Sequence, residues 1–388
     1  MADRLSVKNK RILFSIVIFS LVSGFIHAQR QVEQPWWYTL EQGKHAFRSA
    51  SYGDALLSFE DARRQRRQMY TRLETEFITL LSLPEVRRLG DSLELVERFI
   101  EDRNYSEAGE ALRELYYRVP RSGLNNSVQA ALTGLSGLKD YPEAEYWIGE
   151  TYRSEGELGI AINQYQKALV QRHLFENSGL ELELLYKIAE LRRVRREYPE
   201  MEKVLLGILS GIPAGGETAR DSLWNQDSGT FAKQAMMRTL ERDGFSRFLT
   251  LYRYNNRDVE KAHRLLGLFF YSSGRHNSAP DHLMFAFLIQ NSLIMEELIR
   301  NRFDFSFSSL DDLMAELKTR PNLLHYIEEI EYYKTAYYLA ASLYAAGKTV
   351  PARELWTFLS RQADAGEWAV RSAGQLEKPY IERSQENW

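Results

Sequence analysis

The stretch YWIGETYRSEGELGIAINQYQKAL, residues 146–169, constrains the fold of this chain more than any other. Ile148, Gly149 and Tyr152 come first, then Gly156 and Leu158, then Ala161, Tyr165, Ala168 and Leu169. Apolar and small residues recur three or four apart on each side of Gly156. That spacing predicts two amphipathic helices with a turn between them. Small residues at Gly149 and Ala161 let the helices approach closely, while Tyr152, Tyr165 and Leu169 fill the space around the contact.

The pattern returns along the chain with different fidelity. Gly43, Tyr52, Ala55, Phe59 and Ala62 take the same spacing, and Leu95, Phe99, Tyr105, Ala108 and Leu112 follow, closed by Pro120. A degenerate copy has Ile188, Ala189, Tyr198, Leu205 and Ile208, with Met201 in place of the small alanine. A good copy has Leu266, Gly267, Phe270, Gly274, Ala279, Leu283 and Ala286. The last has Leu339, Ala340, Leu343, Gly347, Ala352, Trp356 and Leu359.

These residues resemble the tetratricopeptide repeat (TPR), a helix-turn-helix unit of about 34 residues. The resemblance implies an all-α, TPR-like helical solenoid of antiparallel, superhelical helix pairs. The matching alanines Ala55, Ala108 and Ala161 stand 53 residues apart each time, so an inserted helix fits in each gap. QRRQMYTRLETEFITLLS, ended by Pro84, supplies the first, and NNSVQAALTGLSGL the second. A further degenerate unit fits at 231–254. SGIPAGGETARDSLWNQDSG, residues 210–229, has no helical stripe and reads as a loop. The expected organisation is therefore one array over 29–210, a linker over 211–230, and a second array over 231–388 that ends in a capping helix.

The first 28 residues read as a secretory signal. Lys8, Lys10 and Arg11 precede an uncharged apolar run from Ile12 to Ile26, and cleavage is expected after Ala28. Retention as a membrane anchor is the alternative. The run is shorter than the roughly 20 residues a comfortable span needs. The whole chain has 50 Lys and Arg against 53 Asp and Glu. Removing Asp3, Arg4, Lys8, Lys10 and Arg11 with the leader leaves a net charge of −6, against the basic face that nucleic acid demands. The chain has no cysteine, which excludes lipid modification at an N-terminal cysteine, disulfides and cysteine metal sites. The expectation is a soluble periplasmic protein that is not a lipoprotein.

Gly347-Lys348-Thr349 matches the tail of a phosphate-binding loop. Ser342 stands where that loop needs its first glycine, and helical periodicity precedes the tripeptide, so it is expected to be a turn. His276 and His282, with Asp281 between them, lack a third ligand at matching spacing; His276 is expected on a turn and His282 on a solvated face. No Gly-x-Ser-x-Gly elbow or acid/base dyad stands out. No catalytic residue, cofactor or metal is expected. In RFDFSFSSLDD, residues 302–312, the phenylalanines are expected to plug a gap between repeats, and Ser309 with Asp312 to start a helix.

In TPR proteins the first helix of each unit lines a surface where peptides bind. The resemblance carries this onto Tyr146, Glu150 and Arg153, and in the same order onto Tyr186, Glu190 and Arg193. The last units offer Arg264 and Tyr271, then Tyr337 and Tyr344. Tyrosine gives contact area and arginine grips carboxylates, so a Tyr-Glu-Arg ladder suits an extended peptide. The plain alternative is that Glu150 and Arg153 pair along one helix. The basic clusters RRQRR (63–67) and RRVRR (192–196) are expected on solvated faces. Trp36-Trp37 either caps the first repeat or meets a partner.

The implied role is a non-enzymatic scaffold that binds another envelope protein or an extended peptide, in envelope assembly or transport. The alternatives are a TPR-type small-molecule-binding accessory subunit of a periplasmic uptake system, which needs a closed and partly apolar pocket, and an enzyme with a site walled by loop 210–229.

Overall fold

The computed structural model describes residues 35–81, single residues between 94 and 111, 140–175, 177, 179–211 and 227–382. Among these the fold is all-α and TPR-like, without a strand. α1 (Trp36–Arg48) pairs with α2 (Tyr52–Leu81), α3 (Pro142–Ser154) with α4 (Leu158–Val170), and α5 (Gly179–Val194) with α6 (Tyr198–Ser210). After α7 (Asp227–Leu251), α8 (Arg257–Ser272) pairs with α9 (Ala279–Asn301). The short α10 (Leu310–Lys318) and α11 (Pro321–Glu329) lead to α12 (Tyr332–Ala345), which pairs with α13 (Thr349–Ser360). α14 (Glu367–Glu377) packs on α13. The expected leader, the second inserted helix and most of the loop at 211–230 lie outside the described residues.

One register governs all five pairs. A small residue on the first helix faces a fully buried large residue sixteen positions later: Gly43 and Phe59, Gly149 and Tyr165, Ala189 and Leu205, Gly267 and Leu283, Ala340 and Trp356. A Cβ added at Gly43, Gly149 or Gly267 would lie 2.5 Å from the facing side chain. The first helix therefore holds glycine where its partner comes closest.

Seven residues after each small residue the backbone turns left-handed, at Ala50 (φ 56°), Gly156 (84°), Arg196 (60°), Gly274 (78°) and Gly347 (80°). The next N–H then donates to the carbonyl five residues back. Ser51 reaches Ala46 at 2.9 Å, Glu157 reaches Tyr152 at 2.9 Å, and Glu197 reaches Arg192 at 2.8 Å. Arg275 reaches Phe270 and Lys348 reaches Leu343, both at 2.8 Å. These bonds satisfy carbonyls that a helix end leaves open. Gly347-Lys348-Thr349 is thus a turn between two helices. The copy at 95–112 lies largely outside the described residues, with Asn104 N–H donating to Phe99 in the same way at 2.7 Å.

Ala50 and Arg196 are exposed and occupy glycine's place. A left-handed conformation costs a side-chain-bearing residue about 1–2 kcal/mol, and glycine returns part of that as unfolded-state entropy. Ala50→Gly and Arg196→Gly are each expected to stabilise the protein by about 0.5–1 kcal/mol. A denaturation midpoint that falls on either substitution would contradict this reading of the turns.

The chain divides into two compact units between Glu176 and Asn177. In the first unit Leu40, Ala55, Phe59, Ala62, Ala144 and Ile148 form a core between α1, α2 and α3. Trp147 packs against Phe59 and Phe47 at 6.1 and 5.5 Å, and Arg63 bonds Glu145 at 2.8 Å. Trp36 stands edge-on to Tyr141 at 5.1 Å, with the Arg66 guanidinium over both rings. Trp36 therefore packs as a cap, whereas Trp37 is 53% exposed. Arg63 and Arg66 engage α3 rather than lying on a solvated face. The segment expected as a first inserted helix instead continues α2, a rod of 30 residues. No glycine or proline interrupts α2 after Gly53.

The second unit has one continuous core from Ala189 to Ala365. α5 and α6, expected in the first array, belong here. Tyr198 on α6 stacks on Phe269 of α8 at 5.5 Å, and Glu202 pairs with Arg275 at 2.8 Å. The unit expected at 231–254 is a single helix broken at Gly244 (φ 76°), where Phe245 N–H donates to Glu354 Oε1 at 3.0 Å. Along α9, residues 282–290 are all buried, so that stretch of the helix has no solvated face. Phe305 and Phe307 pack against the core, but Phe303 is 95% exposed and plugs nothing. Asp312 N–H donates to Ser309 Oγ at 3.1 Å and caps α10 as expected.

Candidate functional site

In the first unit, Tyr146, Glu150 and Arg153 share one face of α3, but Glu150 is buried. It accepts from the Tyr165 hydroxyl and, at 2.8 Å, from Arg153 Nη2. The carboxylate anchors the large ring of its own helix pair, so the expectation that it grips a partner is corrected and the pairing along one helix is what occurs. Burial, reinforced by Glu150, pushes the Tyr165 hydroxyl pKa up. Tyr146 is half-buried against Trp147 and Tyr165, and Arg153 is exposed.

In the second unit the first helices α5, α8 and α12 lie in sequence. The Tyr186 hydroxyl donates to Asp258 O at 2.5 Å and accepts from Ala262 N–H at 3.1 Å, which fastens α5 to α8. Glu190 is exposed and Arg193 half-buried. Arg264 is buried and pairs with Glu260 at 3.3 Å and with Glu331. Tyr271 and Tyr337 are also buried, and Tyr344 is half-buried against Trp356 at 5.6 Å. The open ladder expected on this face is therefore corrected at Tyr186, Arg264, Tyr271 and Tyr337, which are engaged by the chain itself.

What engages Tyr271 and Tyr337 is peptide. After α14 the chain leaves the helix at Lys378 (φ −140°, ψ 89°) and runs to Glu382 without regular structure. Tyr380 N–H donates to Gln375 Oε1 at 2.9 Å, and Glu382 N–H donates to the Tyr271 hydroxyl oxygen at 3.1 Å. The Glu382 carboxylate accepts from the Tyr337 hydroxyl and from Arg371 Nη2 at 2.5 Å. Arg371 lies over the rings of Tyr337 at 4.5 Å, Trp368 at 4.7 Å and Tyr338 at 5.6 Å. Gln375 Nε2 donates to the Tyr337 hydroxyl at 3.3 Å. Burial, then Glu382, pushes the Tyr337 hydroxyl pKa up, which keeps it a donor. The arrangement is an aromatic box holding a guanidinium against a carboxylate, with two further groups for backbone N–H.

The sequence placed Tyr271 and Tyr337 here and missed Trp368, Arg371 and Gln375. Their three- and four-residue spacing on α14 puts them on one helix face, a signal present in the sequence. Beside the box runs an open groove of about 490 Å³, lined by Glu328, Glu331, Lys334, Asp364 and Glu367, with Trp368 and Arg371 at its edge. Glu331 is left-handed there (φ 52°) and pairs with Lys334 at 2.9 Å.

His282, expected on a solvated face, is buried, and its Nδ1 lies 3.1 Å from Nδ1 of buried His263. At that distance one imidazole donates and the other accepts, so the two cannot both carry a proton on Nδ1. Among the described residues no third carboxylate, cysteine or histidine joins them to hold a metal. Burial, then His263, Lys233 and Arg275, hold the His282 pKa well below 6.5. The unfolded chain binds a proton near pH 6.5 that the folded chain refuses, so stability is lost as pH falls through 6.5 toward the folded pKa. In His282→Asn an amide can still meet His263. That variant is expected to be less stable at pH 7.5 but to lose much of the decline between pH 6.5 and 5. Denaturation midpoints across that range, with equal slopes in both proteins, would contradict the assignment.

No family model matches the sequence. An uncharacterized protein of Treponema pallidum (strain Nichols) is 24% identical over 345 residues, which span 89% of this chain and 90% of that protein. Among solved structures, the apo form of the quorum sensor NprR from B. thuringiensis covers 90% of this chain and 93% of its own, at 12% identity and a TM-score of 0.23. A likeness that low carries no argument about fold or function.

Proposed function

We propose that the protein is an exported, non-enzymatic scaffold of the TPR family, which holds an extended segment of another cell-envelope protein on the first-helix face of its second unit. One observation carries this reading: that face already holds a non-helical stretch of peptide, residues 378–382, by two backbone N–H groups and one carboxylate. A periplasmic site of action rests on the expected leader and the lack of cysteine. Glu190, Arg193 and Tyr344, which the chain leaves wholly or partly exposed on that face, suit a protein partner in envelope assembly or transport. The small-molecule alternative asks for a closed, partly apolar pocket. The groove beside the box mixes charged side chains with Ile327, Tyr332, Tyr333 and Trp368, and it is open rather than closed, which favours the peptide reading.

Photo-crosslinking groups placed singly at Glu190, Arg193 and Tyr344 test this in the intact cell envelope. Each is expected to give a discrete protein adduct. The same group at Val350, 70% exposed on the second helix α13, is expected to give none. Adducts at Val350 alone, or at no position, would contradict the first-helix face as the binding surface.

A further inference from the structure

We propose that Tyr271, Tyr337, Arg371 and Gln375 form a receptor slot for an extended segment with a carboxylate side chain, and that the chain's own Lys378–Glu382 fills the slot in cis until a partner of the same chemistry displaces it. The proposal rests on the peptide-scaffold reading and adds to it the class of ligand and its regulation.

The contacts divide by what they can recognise. The bonds from Tyr380 N–H and Glu382 N–H to Gln375 and Tyr271 use main-chain atoms that any extended peptide offers. The Glu382 carboxylate is the group that selects, because it takes two donors at once, Tyr337 and Arg371. Charge-assisted bonds of this kind are stronger than neutral ones and depend on the charge being present. The side chain of Glu382 is only 8% exposed, so an uncharged replacement cannot recover the bonds from water.

Part of the receptor side is held by contacts that do not involve the tail. Gln375 is fixed by its bond to Tyr337, and Arg371 is fixed by three aromatic rings. The register of α12 and α13 rests on Ala340 against Trp356, with Leu339, Leu343 and Leu359 around them, and none of these needs residues 378–382. The slot is therefore pre-organised, and emptying it leaves the helices in place.

The tail begins where α14 ends, at Glu377. So short a tether presents its carboxylate at an effective concentration on the order of millimolar. A free peptide with the same contacts competes against that concentration, and its apparent affinity falls in proportion to the fraction of slots left open.

The test uses the full chain and a fluorescent peptide, Lys-Pro-Tyr-Ile-Glu, amidated at its C-terminus so that its only carboxylate is the glutamate side chain. Glu382→Lys disables the tail by setting a lysine beside Arg371, and a chain ending at Lys378 removes it. Both are expected to keep the wild-type thermal midpoint within a few degrees and to bind the peptide at least about tenfold more tightly than wild type. Arg371→Glu in the chain ending at Lys378 is expected to abolish binding, and a probe ending in glutamine to bind at least about tenfold more weakly. The proposal is overturned if the folded tail variants fail to bind, if wild type binds as tightly as they do, or if neither Arg371 nor the probe's carboxylate matters. Cross-linked adducts at Glu190, Arg193 and Tyr344 without peptide binding would sink the slot and leave the scaffold standing. Loss of both results would sink the scaffold as well.

Discussion

Trp356→Ala is expected to destabilise the second unit by about 3–5 kcal/mol, the cost of emptying a fully buried tryptophan site. Trp356 is the large member of the last helix pair, opposite Ala340, and Tyr344 closes over it at 5.6 Å. Its neighbours are themselves buried helices fixed by further contacts, so the gap cannot collapse. Among the described residues its indole N–H has no hydrogen-bond partner, so the loss is one of packing and not of a polar contact. Trp356→Phe separates the two. It keeps a ring of the kind that Phe59 places at the same position in the first pair, and it is expected to cost well under half as much. Equilibrium denaturation, together with amide exchange in α12 and α13, measures both. An alanine variant that unfolds no earlier than wild type would show that the small-facing-large register does not hold the last pair together.

Gly149→Leu is expected to cost about 1–3 kcal/mol or more through overpacking in the first unit. A Cβ at that position would stand 2.5 Å from Cε1 and 2.6 Å from Cδ1 of Tyr165. The ring cannot swing aside cheaply. It is fully buried, and its hydroxyl is bonded to Glu150, which Arg153 holds in turn. The helices must separate instead, and the loss should be local to α3 and α4. An unchanged thermal midpoint, with α3 and α4 amides as protected as in wild type, would mean that the pairing of these helices is wrong.

The parts legible in the sequence were those governed by a single contact. Gly149 against Tyr165 and Gly267 against Leu283 need a small residue at one spacing, and the spacing is visible. Gly156, Gly274 and Gly347 are visible for the same reason, because a left-handed turn selects glycine. Ala50 and Arg196 make the same turn without glycine, so composition does not announce them. The burial of His282 was not legible, because α9 is enclosed on all sides over residues 282–290 and carries no amphipathic stripe there from which a solvated face can be read. The Gly- and Ser-rich stretch at 211–230 suggested a boundary, whereas Tyr198 and Glu202 join α6 to α8 and the chain divides before α5.

The candidate site was legible in half. The TPR resemblance set Tyr271 and Tyr337 on an open first-helix surface, whereas the chain itself buries both. What occupies them was not legible, because residues 378–382 have no periodicity and their role comes from a return of the chain onto its own surface. Glu150 and Arg264 were misjudged for a related reason. A charged residue on a helix face looks available until its partner, here Tyr165 or Glu331, is known.

Whether the first-helix face of the second unit binds another protein through the slot its own tail now fills is decided by quantitative affinity capture from cross-linked envelope extracts, with wild type, Glu382→Lys and Arg371→Glu run side by side and read by mass spectrometry. One or two proteins are expected with wild type, enriched with Glu382→Lys and lost with Arg371→Glu. Recovery of the same proteins at equal levels by all three would contradict binding through the slot.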